Sequence, residues 1–197
     1  MRRIKQFLSV EECHLLLSWK EKNDPDLLVY PVLCLFAELR SEQEATGIDW
    51  PSITTSHITV DATIAKDGET RFIDPLTPNL VEWIRFIDSK EVNPFPLKNL
   101  RRRWDRVKQV LGRKWPPEAM RRSYACYHFA MFGNAGLTAK NLGHPDTTLF
   151  TKYYYGAATK VEAGRFWKIL PGSGSGNYPC NDLDSLNYPI QYQSEQI

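Results

Sequence analysis

The 197-residue chain carries 25 Lys+Arg against 23 Asp+Glu, 42% hydrophobic and 12% aromatic residues, and a formal charge of +2. That balance describes one compact globular domain with a tail, excludes a disordered or fibrous chain, and does not by itself announce a polyanion partner, so any basic surface must come from local clustering. The longest apolar runs, such as Leu33-Cys34-Leu35-Phe36, fall far short of the ~20 residues that span a bilayer; Glu11 and Glu12 sit where a secretory segment would be apolar, so a cytoplasmic protein without a membrane partner is expected.

Ser9-Val10-Glu11-Glu12 is a capping-box pattern, and Leu15, Leu16 and Trp19 follow at helical spacing, which predicts a helix over about 10–20. Asp24-Pro25 opens a second, very apolar helix running through Leu28, Leu35, Phe36 and Leu39 and ending beside Arg40, with Pro31 near its first turns. From Ile58 the period changes to two. Ile58, Val60, Ala62 and Ile64 alternate with Thr59, Asp61, Thr63 and Ala65, predicting a half-buried strand. Asp67-Gly68 favours a two-residue hairpin turn, so Thr70-Arg71-Phe72-Ile73 is expected as the partner strand with Lys66 at the hairpin tip.

Helical patterns resume after Pro78 and after Pro96, where Leu97, Leu100, Trp104, Val107 and Leu111 form one apolar stripe. Residues 98–122 hold ten Lys/Arg against Asp105 and Glu118, a local net of +8. A long helix opens near Pro117 and stops at Gly133-Asn134; short helices are expected at about 137–142 and 146–155, and Thr159-Lys160-Val161-Glu162 is a second capping box leading to Phe166-Trp167. The expected organisation is one domain over 1–170 and a flexible tail over 171–197, entered through Gly172-Ser173-Gly174-Ser175-Gly176. The fold class that follows is mainly α with a small antiparallel sheet (α+β). Cysteines 13, 34, 126 and 180 lack both a CxxC pair and a His at zinc spacing, so reduced thiols and no metal site are expected, and His14, His57 and His128 are assigned to structure.

Five separated features occur in one order: Leu39-Arg40, Lys66, Arg121, Leu142-Gly143-His144, and Tyr153-Tyr154-Tyr155. In this order they resemble the catalytic domain of tyrosine recombinases, the phage integrase family, over about residues 8–170. The resemblance implies DNA breaking and rejoining through a 3′-phosphotyrosyl intermediate, with no cofactor, metal or small-molecule substrate, on double-stranded DNA and with oligomerisation on that DNA. Two guanidinium forks, Arg40 and Arg121, suit a pentavalent phosphate because each binds two oxygens in one plane. Lys66 would protonate the leaving 5′ oxygen, and His144 would hydrogen-bond the phosphate or shuttle a proton. The nucleophile stays open between two neighbours. Spacing from His144 in many members selects Tyr153, whereas the Tyr-x-Gly pattern ending at Gly156 selects Tyr154, the preferred reading. In the same context Arg101, Arg102, Arg103, Arg106, Lys108, Arg113, Lys114 and Arg122 are candidate DNA contacts.

Three departures weigh against activity. Glu118 stands where His-x-x-Arg has its His; Gln43, flanked by Glu42 and Glu44, stands where a Glu usually follows the first Arg, with one extra residue before Asp49-Trp50; and the chain starts almost directly at the catalytic segment, which reads as the absence of the N-terminal DNA-clamping domain. A catalytically impaired remnant that only binds DNA is therefore the second reading, and a topoisomerase-like relaxing enzyme a third that nothing in the residues favours.

Overall fold

A computed structural model describes residues 6–91, 93–142 and 156–172. His144, Tyr153, Tyr154, the helix expected over 146–155 and the tail from 173 onward lie outside the described residues. Among the described residues the fold is mostly helical with one two-stranded antiparallel sheet.

Helix α1 (Val10–Asn23) starts at a completed capping box: Ser9 Oγ accepts from the Glu12 N–H at 3.2 Å and Glu12 Oε2 accepts from the Ser9 N–H at 2.7 Å. A 3₁₀ turn (Pro25–Leu27) then leads into α2 (Val29–Phe36), all of whose residues are buried, with Pro31 in the first turn where its missing N–H costs nothing. The helix is shorter than the apolar pattern suggests. It closes at Phe36 because the Ala37 and Leu39 N–H groups both turn back to the Leu33 carbonyl, at 3.0 and 3.3 Å, with Glu38 between them in the left-handed region at φ 56°. Such a closure needs one left-handed residue, normally a glycine. Leu39 and Arg40 thus lie on a loop ahead of α3 (Glu44–Gly47).

The expected strand and hairpin are also corrected. β1 covers only Ile58–Val60 and pairs with β2 (Arg71–Ile73) in the register Ile58↔Ile73, Thr59↔Phe72, Val60↔Arg71, leaving residues 61–70 as a long connection rather than a two-residue turn. Asp61 ends the strand: its carboxylate accepts from the Thr63 N–H at 2.9 Å and hydroxyl at 2.7 Å, and its carbonyl accepts from Ile64 and Ala65. This Asx turn outcompetes the ladder. Gly68 does adopt a positive φ, of 71°, but inside the longer loop.

The remaining helices are α4 (Pro78–Asp88), α5 (Leu100–Val110), α6 (Ala119–Phe132), α7 (Ala135–Asn141) and α8 (Lys160–Phe166), the last entered through the predicted Thr159 capping box. α6 is the central element, packing on α8 and α2, while α2 also meets α4 and α1. Their shared core is aromatic: Tyr127 stacks on Phe166 with centroids 4.4 Å apart, and Phe166 meets Phe36 at 5.1 Å and Trp167 at 5.0 Å. Distant segments are stitched by polar bonds. Ser123 Oγ accepts from the Leu8 N–H at 2.9 Å, Tyr127 Oη donates to the Leu8 carbonyl at 3.0 Å, and Trp83 Nε1 donates to the Ile169 carbonyl at 2.9 Å. Cys13, Cys34 and Cys126 are buried free thiols.

Candidate active site

Arg121 enters on the first turn of α6 and is only 7% exposed. Its Nη1 donates to the Glu38 carbonyl at 3.0 Å and its Nη2 to the Leu142 carbonyl, so the residue bridges the loop after α2 and the end of α7, immediately ahead of Gly143-His144. Two of the five N–H donors of a guanidinium are spent on these carbonyls, which fixes the plane of the fork and leaves the others for a ligand. Burial lowers the pKa of Arg121, and nearby Arg40 adds to that, while Glu38 and Glu44 oppose it.

Glu44 is the anchor of the site, and the sequence reading missed its role. At 1% exposure its carboxylate accepts from Arg71 Nη1 and Nη2 at 2.8 and 2.9 Å and from the Arg40 N–H at 2.8 Å; Arg40 Nε lies 3.5 Å from Oε1, and Arg121 Nη1 lies 3.9 Å from Oε2. Burial acts to raise the Glu44 pKa, but the Arg71 fork and the Arg40 N–H outweigh it and hold the carboxyl below its ordinary range. The extra residue after Arg40 explains the miss. The chain makes a full turn, with Glu44 N–H bonded back to the Arg40 carbonyl at 3.1 Å, and so presents Glu44 rather than Gln43 to the arginines.

Arg71 is the second residue that sequence reasoning overlooked. Opposite Val60 in the register, it ties the base of the strand connection to the Glu44 cluster. The connection also rests on α3: a Cβ on Gly47 would come 2.7 Å from Ile64 Cγ2, so this approach requires a glycine. Lys66 is exposed two residues beyond Ile64, on a segment whose residues 66–70 all face solvent.

Glu118, at φ 52°, precedes α6 and is exposed; Ser41 Oγ, next to Arg40, donates to its Oε1 at 3.3 Å. The carboxylate therefore sits on the Arg40 side of the cluster, on the rim of a small cleft lined by Tyr30, Ser41, Trp104, Trp115 and Arg121. Arg40 and Arg121 are brought together on one carboxylate.

The basic segment divides into two groups. Arg103 grips Asp24 with Nε at 3.0 and 3.1 Å, Asp24 also accepts from Lys20 at 2.6 Å, Arg113 grips Glu12 (Nη2 to Oε2, 2.8 Å) and donates to the Phe7 carbonyl at 3.1 Å, Lys108 pairs with Asp105 at 3.1 Å, and Arg122 donates to Gln6. By contrast Arg101, Arg102, Arg106 and Lys114 are exposed and form no salt bridge among the described residues. Trp104 and Val107 bury the other face of α5, which turns the first three of these outward.

A comparison of the coordinates with solved structures finds the catalytic domain of bacteriophage HP1 integrase, at a TM-score of 0.58 and 19% identity, covering 75% of this chain and 85% of that one. The fold is that of an integrase catalytic domain. No family model matches the sequence, and no curated protein does. No helix among the described residues is long and apolar enough to cross a membrane.

Proposed function

We propose that the chain is a DNA strand transferase acting as a site-specific recombinase or integrase on double-stranded DNA. The observation that carries this reading is the convergence of Arg40 and Arg121 on Glu44, which sets two guanidinium forks side by side on an integrase-type fold. In the proposed step the tyrosine oxygen, Tyr154 with Tyr153 as its alternative, attacks phosphorus as its proton passes to solvent water. The P–O5′ bond breaks, Lys66 gives a proton to the departing 5′ oxygen, and a 3′-phosphotyrosyl bond holds the strand until a 5′ hydroxyl reverses the reaction. Arg40 and Arg121 neutralise the charge that grows on the non-bridging oxygens, a role worth roughly 10²–10³ per donor in rate, and His144 hydrogen-bonds the same phosphate. Because the bond energy stays in the phosphotyrosyl link, no cofactor is required. Protomers are proposed to assemble on the DNA.

Covalent trapping on nicked duplexes tests this directly. Wild type is expected to yield an adduct on a denaturing gel, Tyr153→Phe to retain it and Tyr154→Phe to lose it. A second reading, binding without cleavage, is favoured by Glu118, since a carboxylate lining the same cleft as Arg121 repels a phosphate there and cannot serve as an imidazolium; wild type that binds salt-sensitively and never forms an adduct would select it. For the binding step, replacing Arg101, Arg102 and Arg106 together by alanine should reduce the slope of log affinity against log salt by about 3, measured by fluorescence anisotropy; an unchanged slope would place the DNA on another face.

A further inference from the structure

Glu38 belongs to no step described above, yet it lies against the arginine site. Its carboxyl is 1% exposed, and Oε2 is buried without a hydrogen-bond partner. Its backbone, at φ 56°, is part of the closure of α2, and its carbonyl is the acceptor that fixes Arg121. The charged groups facing it are Arg121 from α6, Arg71 from β2, Glu44 from α3 and Arg40 from the loop between. Ionising a carboxyl so enclosed is costly unless a cation pairs with it, so its charge state depends on the guanidiniums around it. Here Arg71 spends its two Nη groups on Glu44 and Arg121 two of its donors on carbonyls, and none of these bonds reaches Glu38 Oε2, while Arg71 Nε is likewise buried without a partner.

We propose that Glu38 sets the charge this site offers to a phosphodiester: neutral, it leaves three guanidiniums against Glu44 alone, a net of two positive charges, and ionised it withdraws one of them. The proposal rests on the reading of Arg40 and Arg121 as a phosphate site. Glu38 is a positioning residue, acting on the substrate through Arg121 and never touching it. Burial raises its pKa to about 8, against the opposing pull of Arg121 and Arg71, so the change falls just above neutrality. Phosphate binding is then strongest below about pH 8 and weakens as the pH rises through that value. The sign for folding agrees: the folded state holds a proton that the unfolded chain releases, so the stability due to Glu38 is lost as pH rises from the ordinary carboxylate range to about 8.

The test compares wild type, Glu38→Gln and Arg40→Ala for binding to a random-sequence duplex by fluorescence anisotropy, between about pH 6.5 and about pH 9.5. Infrared spectra of the free protein, read for the carbonyl stretch of a protonated carboxylic acid, accompany it. The expected result is a roughly tenfold weakening in wild type across the window, a flat profile in Glu38→Gln, and an acid band near neutrality that Glu38→Gln removes. Glu38→Gln keeps the shape and the neutral state, so thermal unfolding that grows less pH-dependent in this variant supports the same conclusion. A weakening equal in wild type and Glu38→Gln, or the absence of the acid band, overturns the proposal while leaving the phosphate site intact. Binding indifferent to Arg40→Ala at every pH overturns the phosphate reading and the proposal with it.

Discussion

Arg121→Ala should abolish the covalent DNA adduct, lowering strand transfer by roughly 10²–10³ or more, and should also unfold at lower temperature than wild type. Both effects follow from one side chain. On the proposed reading the guanidinium turns its remaining N–H groups to a phosphate, while two of its donors hold the Glu38 and Leu142 carbonyls; alanine leaves those carbonyls unpaired in a buried place, at about 1–3 kcal/mol each. Arg121→Lys separates the two roles. An ammonium keeps the charge and can hold one carbonyl, so folding should recover in large part, but it lacks the planar fork that two carbonyls and a phosphate require together, and the adduct should stay lost. Lys at this position supporting wild-type adduct formation, read on the same denaturing gel, would remove Arg121 from the chemistry.

Glu44→Ala is expected to be the most destabilising single change at the site. The carboxylate is nearly inaccessible and is shared by Arg71, the Arg40 backbone and, at longer range, Arg121. Removing it leaves the buried Arg121 and the half-buried Arg71 and Arg40 close together without their shared carboxylate, a loss of about 3–5 kcal/mol, or roughly 6–20 °C in melting temperature for a chain of this size. The folded-state pKa of Glu44 is depressed, so its contribution is present above the ordinary carboxylate range and fades as acid protonates it. Thermal unfolding followed across acid pH should therefore show a shallower acid limb in Glu44→Gln than in wild type. A melting temperature for Glu44→Ala within a degree or two of wild type would mean that the arginines are held by other partners.

Much of the architecture is legible from local chemistry, and the failures share a cause. Both capping boxes, the Gly133 helix stop and the apolar stripe of α5 are encoded within a few residues of where they act, and each occurs where the residues predict it. The end of α2 and the strand connection do not follow from hydrophobic period. Leu39 and Ile64 continue a periodic pattern, but backbone closure at Glu38 and the Asp61 side chain end the regular structure first. At the site, Arg40 and Arg121 are visible as residue types in order, whereas Glu44 and Arg71 become visible only when a one-residue insertion and a strand register are known in three dimensions. The basic run shows the same limit: charge counting cannot tell Arg103 and Arg113, engaged with Asp24 and Glu12, from Arg101 and Arg102, which face solvent.

The bonds that tie Leu8 to Ser123 and Tyr127, and Trp83 to Ile169, have a consequence for biosynthesis. A chain emerging from the ribosome can form α1 and α2 early, but the side that will meet α6 and α8 stays open until residues near 170 have left the exit tunnel. Until then the apolar face of α2 is exposed to solvent, and a ribosome stalled before Trp167 carries a chain that a chaperone or a protease will recognise as unfinished.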